Sequence, residues 1–325
     1  MSGTKHMVVG LDGSSGSLVA LRWAAARTDR FGIIEPVAAW VRPWWAAGPT
    51  SAGSDQLPSD NDLRERAQAA AEHLLQGVDP AVVAPVTIVN APPGPALVAA
   101  AGNATLLVVG SRGHGAVMGA LLGSVSLHCV NHSTAPVAVI PDDAYPDDPF
   151  GRVLVGVDGS PASVAALAWA MATTPAAMAV DALFVWSHDT PYAEEALLAG
   201  IDVVERSEDV VGQTIAAARN HERLARATQS PGPPDSEPGD GSEPPDGSAP
   251  ASVEPGGRPG PVAADREVGV VTMEGDPRQV LRAESLNADL LVVGARGRRG
   301  LAHLLLGSVA TSAVHGPKTP TVVVR

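Results

Sequence analysis

The sequence predicts an α/β protein of two tandem domains, each a five-stranded parallel sheet with helices on both faces. Three observations predict it. The stretch "VVGLDGSSGSLVALRWAA" from Val8 aligns without a gap with "LVGVDGSPASVAALAWAM" from Leu154. Short apolar runs alternate with Ala-rich helical stretches through both copies, the pattern of strands buried on two faces and crossed over by helices. The 325 residues suffice for two ordinary domains, each with its own core. A shift of 146 positions carries Asp12 onto Asp158, Ser14 onto Ser160, Trp23 onto Trp169 and Trp40 onto Trp186, and two coincident pairs among only six tryptophans mark a duplication.

The elements follow in order. In the first copy the apolar run 7–11 is a buried strand, and 14–28, opening on a serine and rich in alanine, is a helix. Residues 33–41 form the second strand, 60–75 a polar-faced helix and 82–89 the third strand. "GPALVAAAGN" is the next helix, 105–110 the fourth strand, 124–132 the last helix and 136–140 the closing strand. The second copy offers strands at 152–157, 180–186, 268–273, 289–294 and 320–324. The first domain thus spans 1–141 and the second 153–325. The acidic, turn-rich "PDDAYPDDPFGR" supplies a linker at 142–152.

The register breaks once. Gly10 and Gly110 are 100 positions apart, Gly156 and Gly294 are 138, so the second copy carries 38 extra residues. The excess falls at about 229–262, where "SPGPPDSEPGDGSEPPDGSAPASVEPGGRPGP" has no aromatic residue. Such composition cannot bury enough apolar surface to offset the entropy of ordering, and a disordered surface insertion is expected.

Composition narrows the function. A formal charge of −13 disfavours binding to nucleic acid, which needs a basic stripe, and adhesion to an anionic membrane. No apolar run reaches the roughly 18 to 20 residues of a bilayer span. "MSGTKHMVVGLDGS" lacks a signal-peptide pattern, and the single Cys129 forms no intrachain disulfide. A cytoplasmic location is expected.

The sharpest signal is a repeated spacing. "VVGSRGHGAVMGALLGS" at 108–124 and "VVGARGRRGLAHLLLGS" at 292–308 share glycine, two residues, glycine, nine residues, glycine-serine. In a doubly wound sheet ligands collect beyond the carboxyl ends of the strands, where the strand order reverses. The loops after the first and fourth strands converge there. A phosphate at that edge calls for inward N–H groups, positive φ and approach without a Cβ, the expectation for Gly110, Gly113, Gly294 and Gly297. Gly123-Ser124 and Gly307-Ser308 precede helical runs, which brings N–H donors, the positive end of a helix dipole and a hydroxyl together. Neither loop is a Walker A sequence, since no lysine precedes the serine. "GHGAVMG" misses the dinucleotide fingerprint by one residue.

On these residues the chain resembles the universal stress protein family in its tandem two-domain form, and within it the ATP-binding class, marked by G-x2-G-x9-G-(S/T). The opening "VGVDGS…A…WA" pattern is matched twice as well. The resemblance implies two Rossmann-like (adenine nucleotide alpha hydrolase-like) domains. It places Asp12 and Asp158 against the nucleotide, with Gly10 and Gly156 beside them. Gly110, Ser111, Arg112, Gly113, His114 and Gly115 would wrap ribose and phosphates in the first site. Gly294, Ala295, Arg296, Gly297, Arg298, Arg299 and Gly300 would do so in the second. Ser124 with Val125, and Ser308 with Val309, would cap the phosphate tail. The implied ligand is ATP, or ADP or AMP in its place, with Mg²⁺ held mainly by phosphate oxygens and water. The closing strands 136–140 and 319–324 would pair into an intramolecular pseudo-dimer, and two chains could associate further as a homodimer.

The implied function is a nucleotide sensor or regulator in stress response or growth control, with a protein partner the sequence does not identify. ATP hydrolysis needs a positioned base and a stabiliser of developing charge. The phosphate loops supply arginines and serines but no carboxylate with an in-line role, so the expectation is a binding protein with slow hydrolysis at most. The rivals are a nucleotide-independent partner-binding module and a weak ATP-cleaving enzyme. The second loop, with Arg296, Arg298 and Arg299 against Arg112 and His114 in the first, should hold polyphosphate more strongly. Two other features carry less. His128, Cys129 and His132 have a metal-ligand spacing, but the second copy reads Ser312, Ala313 and Gly316, so a packed helix is expected. Trp44-Trp45 follows the second strand in the first copy only and could line an adenine pocket or a partner surface.

Overall fold

A computed structural model describes residues 5–42, 59–113, 122–144, 151–175, 177–187, 198–199, 202–229, 266–297 and 306–325. Ten strands form one sheet in the order β3-β2-β1-β4-β5-β10-β9-β6-β7-β8. The first half comprises β1 (His6–Gly10), β2 (Ile33–Trp40), β3 (Thr87–Asn90), β4 (Leu106–Gly110) and β5 (Val137–Ile140). The second repeats it with β6 (Arg152–Val157), β7 (Ala179–Trp186), β8 (Gly269–Glu274), β9 (Leu290–Gly294) and β10 (Thr321–Val324). All pairings within a half are parallel, and the order reverses between β1 and β4 and between β6 and β9.

The halves meet through one antiparallel ladder. β5 and β10 pair Val139 with Thr321, Ala138 with Val322 and Val137 with Val323. Each closing strand would otherwise end its sheet with unpaired backbone groups, and the seam satisfies both. The pseudo-dimer expected of strands 136–140 and 319–324 is thus formed within one chain.

Alternation along the buried strands splits the core between two faces. Met7, Val9, Val108, Ala138, Val292 and Val322 point to one, and Val8, Leu107, Val139, Leu291 and Val323 to the other. Both clusters run unbroken across the seam, so the two domains share each core layer. The helices are α1 (Ser15–Ala25), α2 (Thr28–Phe31), α3 (Asp60–Leu75), α4 (Pro93–Ala100), α5 (Ser124–His132), α6 (Pro161–Thr173), α7 (Val203–Gln229), α8 (Pro277–Glu284) and α9 (Ser308–Val314).

Two expectations need correction. The single helix at 14–28 is α1 capped by the Ser14 hydroxyl, followed by the separate turn α2. The strand at 82–89 is interrupted. Val83 bridges Ile34 in isolation, and β3 begins only at Thr87, because Pro85 between them has no N–H to give a ladder. The expected insertion at 229–262 lies outside the described residues apart from Gln229, the last of α7. Asp289, where the first copy has Thr105, accepts from the backbone N–H groups of Gly151 (2.6 Å) and Arg152 (2.7 Å), so this difference shapes the entry to β6 and not the ligand edge.

Candidate nucleotide site

The first loop of each domain is built by the tripeptide Asp-Gly-Ser. Asp12 Oδ1 accepts from the Ser14 N–H (3.0 Å) and Oγ (2.6 Å), and Ser14 Oγ accepts from the Ser17 N–H (3.1 Å), capping α1. In the second domain Asp158 Oδ1 accepts from the Ser160 N–H (3.0 Å), and Ser160 Oγ from the Ser163 N–H (3.2 Å). The glycine between is left-handed in both, φ +83° at Gly13 and +78° at Gly159. This fixes each aspartate at the carboxyl end of its strand.

Positive φ therefore belongs to the first loop and not, as expected, to Gly110, Gly113, Gly294 and Gly297; among described residues the positive-φ glycines are Gly13, Gly32, Gly159, Gly275 and Gly316. Gly110 and Gly294 are required instead by backbone packed against them, while Gly113 and Gly297 face the carboxylate tips of Asp12 and Asp158. A Cβ on Gly110 would stand 2.7 Å from the Gly16 carbonyl oxygen, and one on Gly113 would strike Asp12 Oδ2. On Gly294 it would stand 2.6 Å from the Ala162 carbonyl carbon, and on Gly297 2.6 Å from Asp158 Oδ2. The strand-four loop thus lies directly on the strand-one loop. Gly10 and Gly156 act likewise, leaving room for Leu97 of α4 and Leu281 of α8.

Gly123 and Gly307 differ from these. Both are helix N-caps with ordinary extended backbone, φ −70° and −74°. Their N–H groups donate to Ser111 O and Ala295 O, each at 2.8 Å. A Cβ at either would meet its nearest neighbours only at 3.4 and 3.5 Å. Neither φ nor a close neighbour among the described residues demands glycine here.

In the first domain these parts enclose a cleft of about 600 Å³. Its lining combines the apolar Leu11, Val37, Ala39, Leu97, Val109 and Val125 with Asp12, Arg112, Gly113, Gly123, Ser124 and Ser126. Gly10, Asp12, Gly110, Arg112, Gly113, Gly123, Ser124 and Val125 are brought together as the sequence suggests. Ser111 is not among them: it is buried, and its hydroxyl is turned to Asp142 Oδ1 (3.3 Å). Ala295, its counterpart, is also buried.

The second domain repeats the frame. Ser160 Oγ donates to Arg296 O (3.3 Å), and Gly307, Ser308 and Val309 open α9 as Gly123, Ser124 and Val125 open α5. His114, Gly115, Arg298, Arg299, Gly300 and the Trp44-Trp45 pair lie outside the described residues.

Sequence reasoning missed several contributors. Ser17 and Ser126 line the cleft, and Ser126 Oγ donates to Gly110 O at 2.6 Å, tying α5 to the strand-four loop. Ser17 recurs as Ser163, so the duplication carried a signal for it. Asp142, assigned to the linker, forms an ion pair with Arg112 (Oδ2 to Nε, 3.0 Å).

The His128–Cys129–His132 set belongs to packing. The imidazoles stack at 4.1 Å, and His132 Nδ1 lies 2.9 Å from the His128 carbonyl oxygen. Burial, and then the neighbouring His132, lower the His128 pKa; burial pushes the Cys129 thiol up to about 12. Among the described residues no three His, Cys, Asp or Glu side chains are grouped to hold a metal ion.

Comparison with known proteins identifies the family. The universal stress protein family model matches twice, over residues 3–141 and 149–325. A universal stress protein of Mycobacterium tuberculosis is 31% identical over 329 residues, covering 98% of this chain and 96% of its own. A second from the same organism is 32% identical over 330 residues with the same coverage. Among solved structures, that of a universal stress protein from Archaeoglobus fulgidus is similar in fold, with TM-score 0.53 and 18% identity over 98% of both chains. The chain therefore belongs to the universal stress protein family, as a tandem of two such domains.

Proposed function

We propose that the chain binds adenine nucleotide, ATP or its ADP and AMP relatives, once per domain, and that occupancy signals nucleotide status to a partner in stress response or growth control. The observation that carries this reading is the cleft at the carboxyl ends of β1 and β4, lined by both apolar and polar groups. Its volume of about 600 Å³ lies in the range of small-molecule sites, and its apolar side chains suit a purine ring. Arg112, the Ser124 hydroxyl and the first turn of α5 suit phosphate oxygens. Asp12, held by Ser14, would accept from a ribose hydroxyl. Beside Gly123 and Gly307 no described residue crowds an added Cβ, which leaves space for ligand at the N-termini of α5 and α9.

Mg²⁺ would be carried in by the polyphosphate and keep most of its water. We propose no hydrolytic role: Asp12 and Asp158 are engaged by the serine turn, and each sits on the loop suited to ribose. No helix among the described residues is long and apolar enough to cross a membrane, consistent with a cytoplasmic sensor. A homodimer would have to form away from β5 and β10, which already pair with each other.

Native mass spectrometry of the purified chain, followed by calorimetric titration with ATP, ADP and AMP, tests the proposal. Two adenine nucleotides per chain are expected. Recovery of ligand-free protein with no measurable heat for any of the three would refute it.

A further inference from the structure

The two phosphate-end loops differ in how their arginines are held. Arg112 Nε lies 3.0 Å from Asp142 Oδ2, and the same carboxylate accepts from Ser111 Oγ at 3.3 Å. Asp142 is wedged beside the first turn of α1, where a Cβ on Gly16 would stand 3.1 Å from its Oδ1. Two hydrogen-bonding partners and a close backbone thus fix the acid next to the arginine that lines the cleft.

Among the described residues the second domain shows no counterpart of this ion pair. Ser111 donates its N–H to Ile140 O and Ala295 to Val324 O, each at 2.7 Å, so the two loops sit on equivalent strands. No acidic side chain among the described residues pairs with Arg296. Its charge is felt instead by the Arg325 guanidinium, whose pKa is lowered by burial and then by Arg296, and which donates to Val130 O at 3.0 Å.

We infer that Asp142 is a specificity-determining residue of the first site, biasing it toward adenine nucleotides with one phosphate over triphosphates by neutralising Arg112. The second site, where no acidic side chain among the described residues pairs with Arg296, carries no such bias. The inference rests on the proposed nucleotide reading. A monophosphate brings about two negative charges and a triphosphate about four, so a fixed carboxylate opposes the longer tail more. The bias weakens as salt screens it.

The test is calorimetric titration of the full chain with AMP and with ATP, both free of Mg²⁺ and at low salt. The second site is silenced by Gly307→Val, with Arg296→Ala as the alternative background if circular dichroism shows that the valine chain is misfolded. In that background AMP should bind more tightly than ATP. Asp142→Asn should raise ATP affinity by about five- to tenfold while changing AMP affinity at most about twofold, and adding Arg112→Ala should abolish that gain. An unchanged ATP-to-AMP ratio on Asp142→Asn, or a loss of ATP affinity, would overturn the inference and leave nucleotide binding standing; the loss would make Asp142 an aid that aims Arg112 at the phosphates. Binding of neither nucleotide to the first site would refute the nucleotide reading and this inference with it.

Discussion

Trp169 of the second domain stacks on Phe31 of the first, with ring centroids 5.8 Å apart and planes 10° from parallel. Phe31 in turn stacks on Trp23 at 6.4 Å, and the Arg27 guanidinium lies 4.4 Å above the Trp23 ring. The row crosses the domain boundary on the face covered by α1 and α6. It adds side-chain packing to the three backbone pairs of the β5–β10 seam. Phe31 is fully buried and has Ala177 at the equivalent place in the second copy, so the contact is asymmetric and made once.

Phe31→Ala should therefore cost about 3–5 kcal/mol, the usual range for emptying a buried aromatic site. Urea denaturation followed by tryptophan fluorescence and by circular dichroism should show two separated midpoints where the parent shows one, because the shared layer loses its bridge. A single coincident transition shifted by less than about 1 kcal/mol would mean that the seam alone couples the domains.

The motif glycines should divide into two classes on substitution. Gly113→Ala pushes a Cβ into the Asp12 carboxylate and Gly297→Ala another into Asp158, so each should lower stability and disturb its aspartate. At Gly123 and Gly307 no described residue stands closer than 3.4 Å to an added Cβ, so Gly123→Val and Gly307→Val should cost only about 1 kcal/mol, chiefly through a poorer helix N-cap. Nucleotide affinity should nonetheless fall at least about tenfold at the altered site, since the side chain enters space meant for ligand. Thermal melts beside calorimetry separate the classes. Equal destabilisation by all four substitutions would remove the distinction.

Much of this arrangement was legible because it is duplicated. Asp12 and Asp158, Ser14 and Ser160, and the glycines of both loops stand at one spacing, and a doubly wound sheet brings their loops to one edge. The conformational cause of the glycines was not legible. Spacing alone cannot distinguish a glycine that needs positive φ, such as Gly13, from one crowded by a carboxylate three strands earlier in the chain, such as Gly113. Asp142 was not legible because its partner Arg112 is 30 positions earlier and nothing in the spacing links the two. The break before β3 was written in Pro85, but an apolar run on either side of it reads as one strand until the ladder is drawn.

Cys129 should be inert in the folded protein. The thiol is fully buried on α5, and burial raises its pKa to about 12, so almost no thiolate exists near neutral pH. Iodoacetamide at pH 8 should leave it unmodified over hours and alkylate it promptly in urea, as read by intact mass. Rapid modification without denaturant would reveal that α5 opens from the sheet, taking Ser124 and Val125 of the cleft with it.

His128 should make stability fall on mild acidification. Its folded-state pKa lies below the ordinary 6.5, through burial against α4 and then the neighbouring His132 imidazole. A depressed pKa means that the unfolded chain binds the proton first. The contribution is therefore complete above about pH 6.5, declines as pH drops below that value, and is lost once pH passes the folded pKa. His128→Asn removes the titration, so the variant should lose less stability than the parent between pH 7.5 and about pH 5.5, whatever its absolute stability. Urea midpoints of both proteins across that range measure the difference. Parallel pH profiles would show that His128 has the same proton affinity folded and unfolded, and that the α4–α5 contact does not disfavour its charged form.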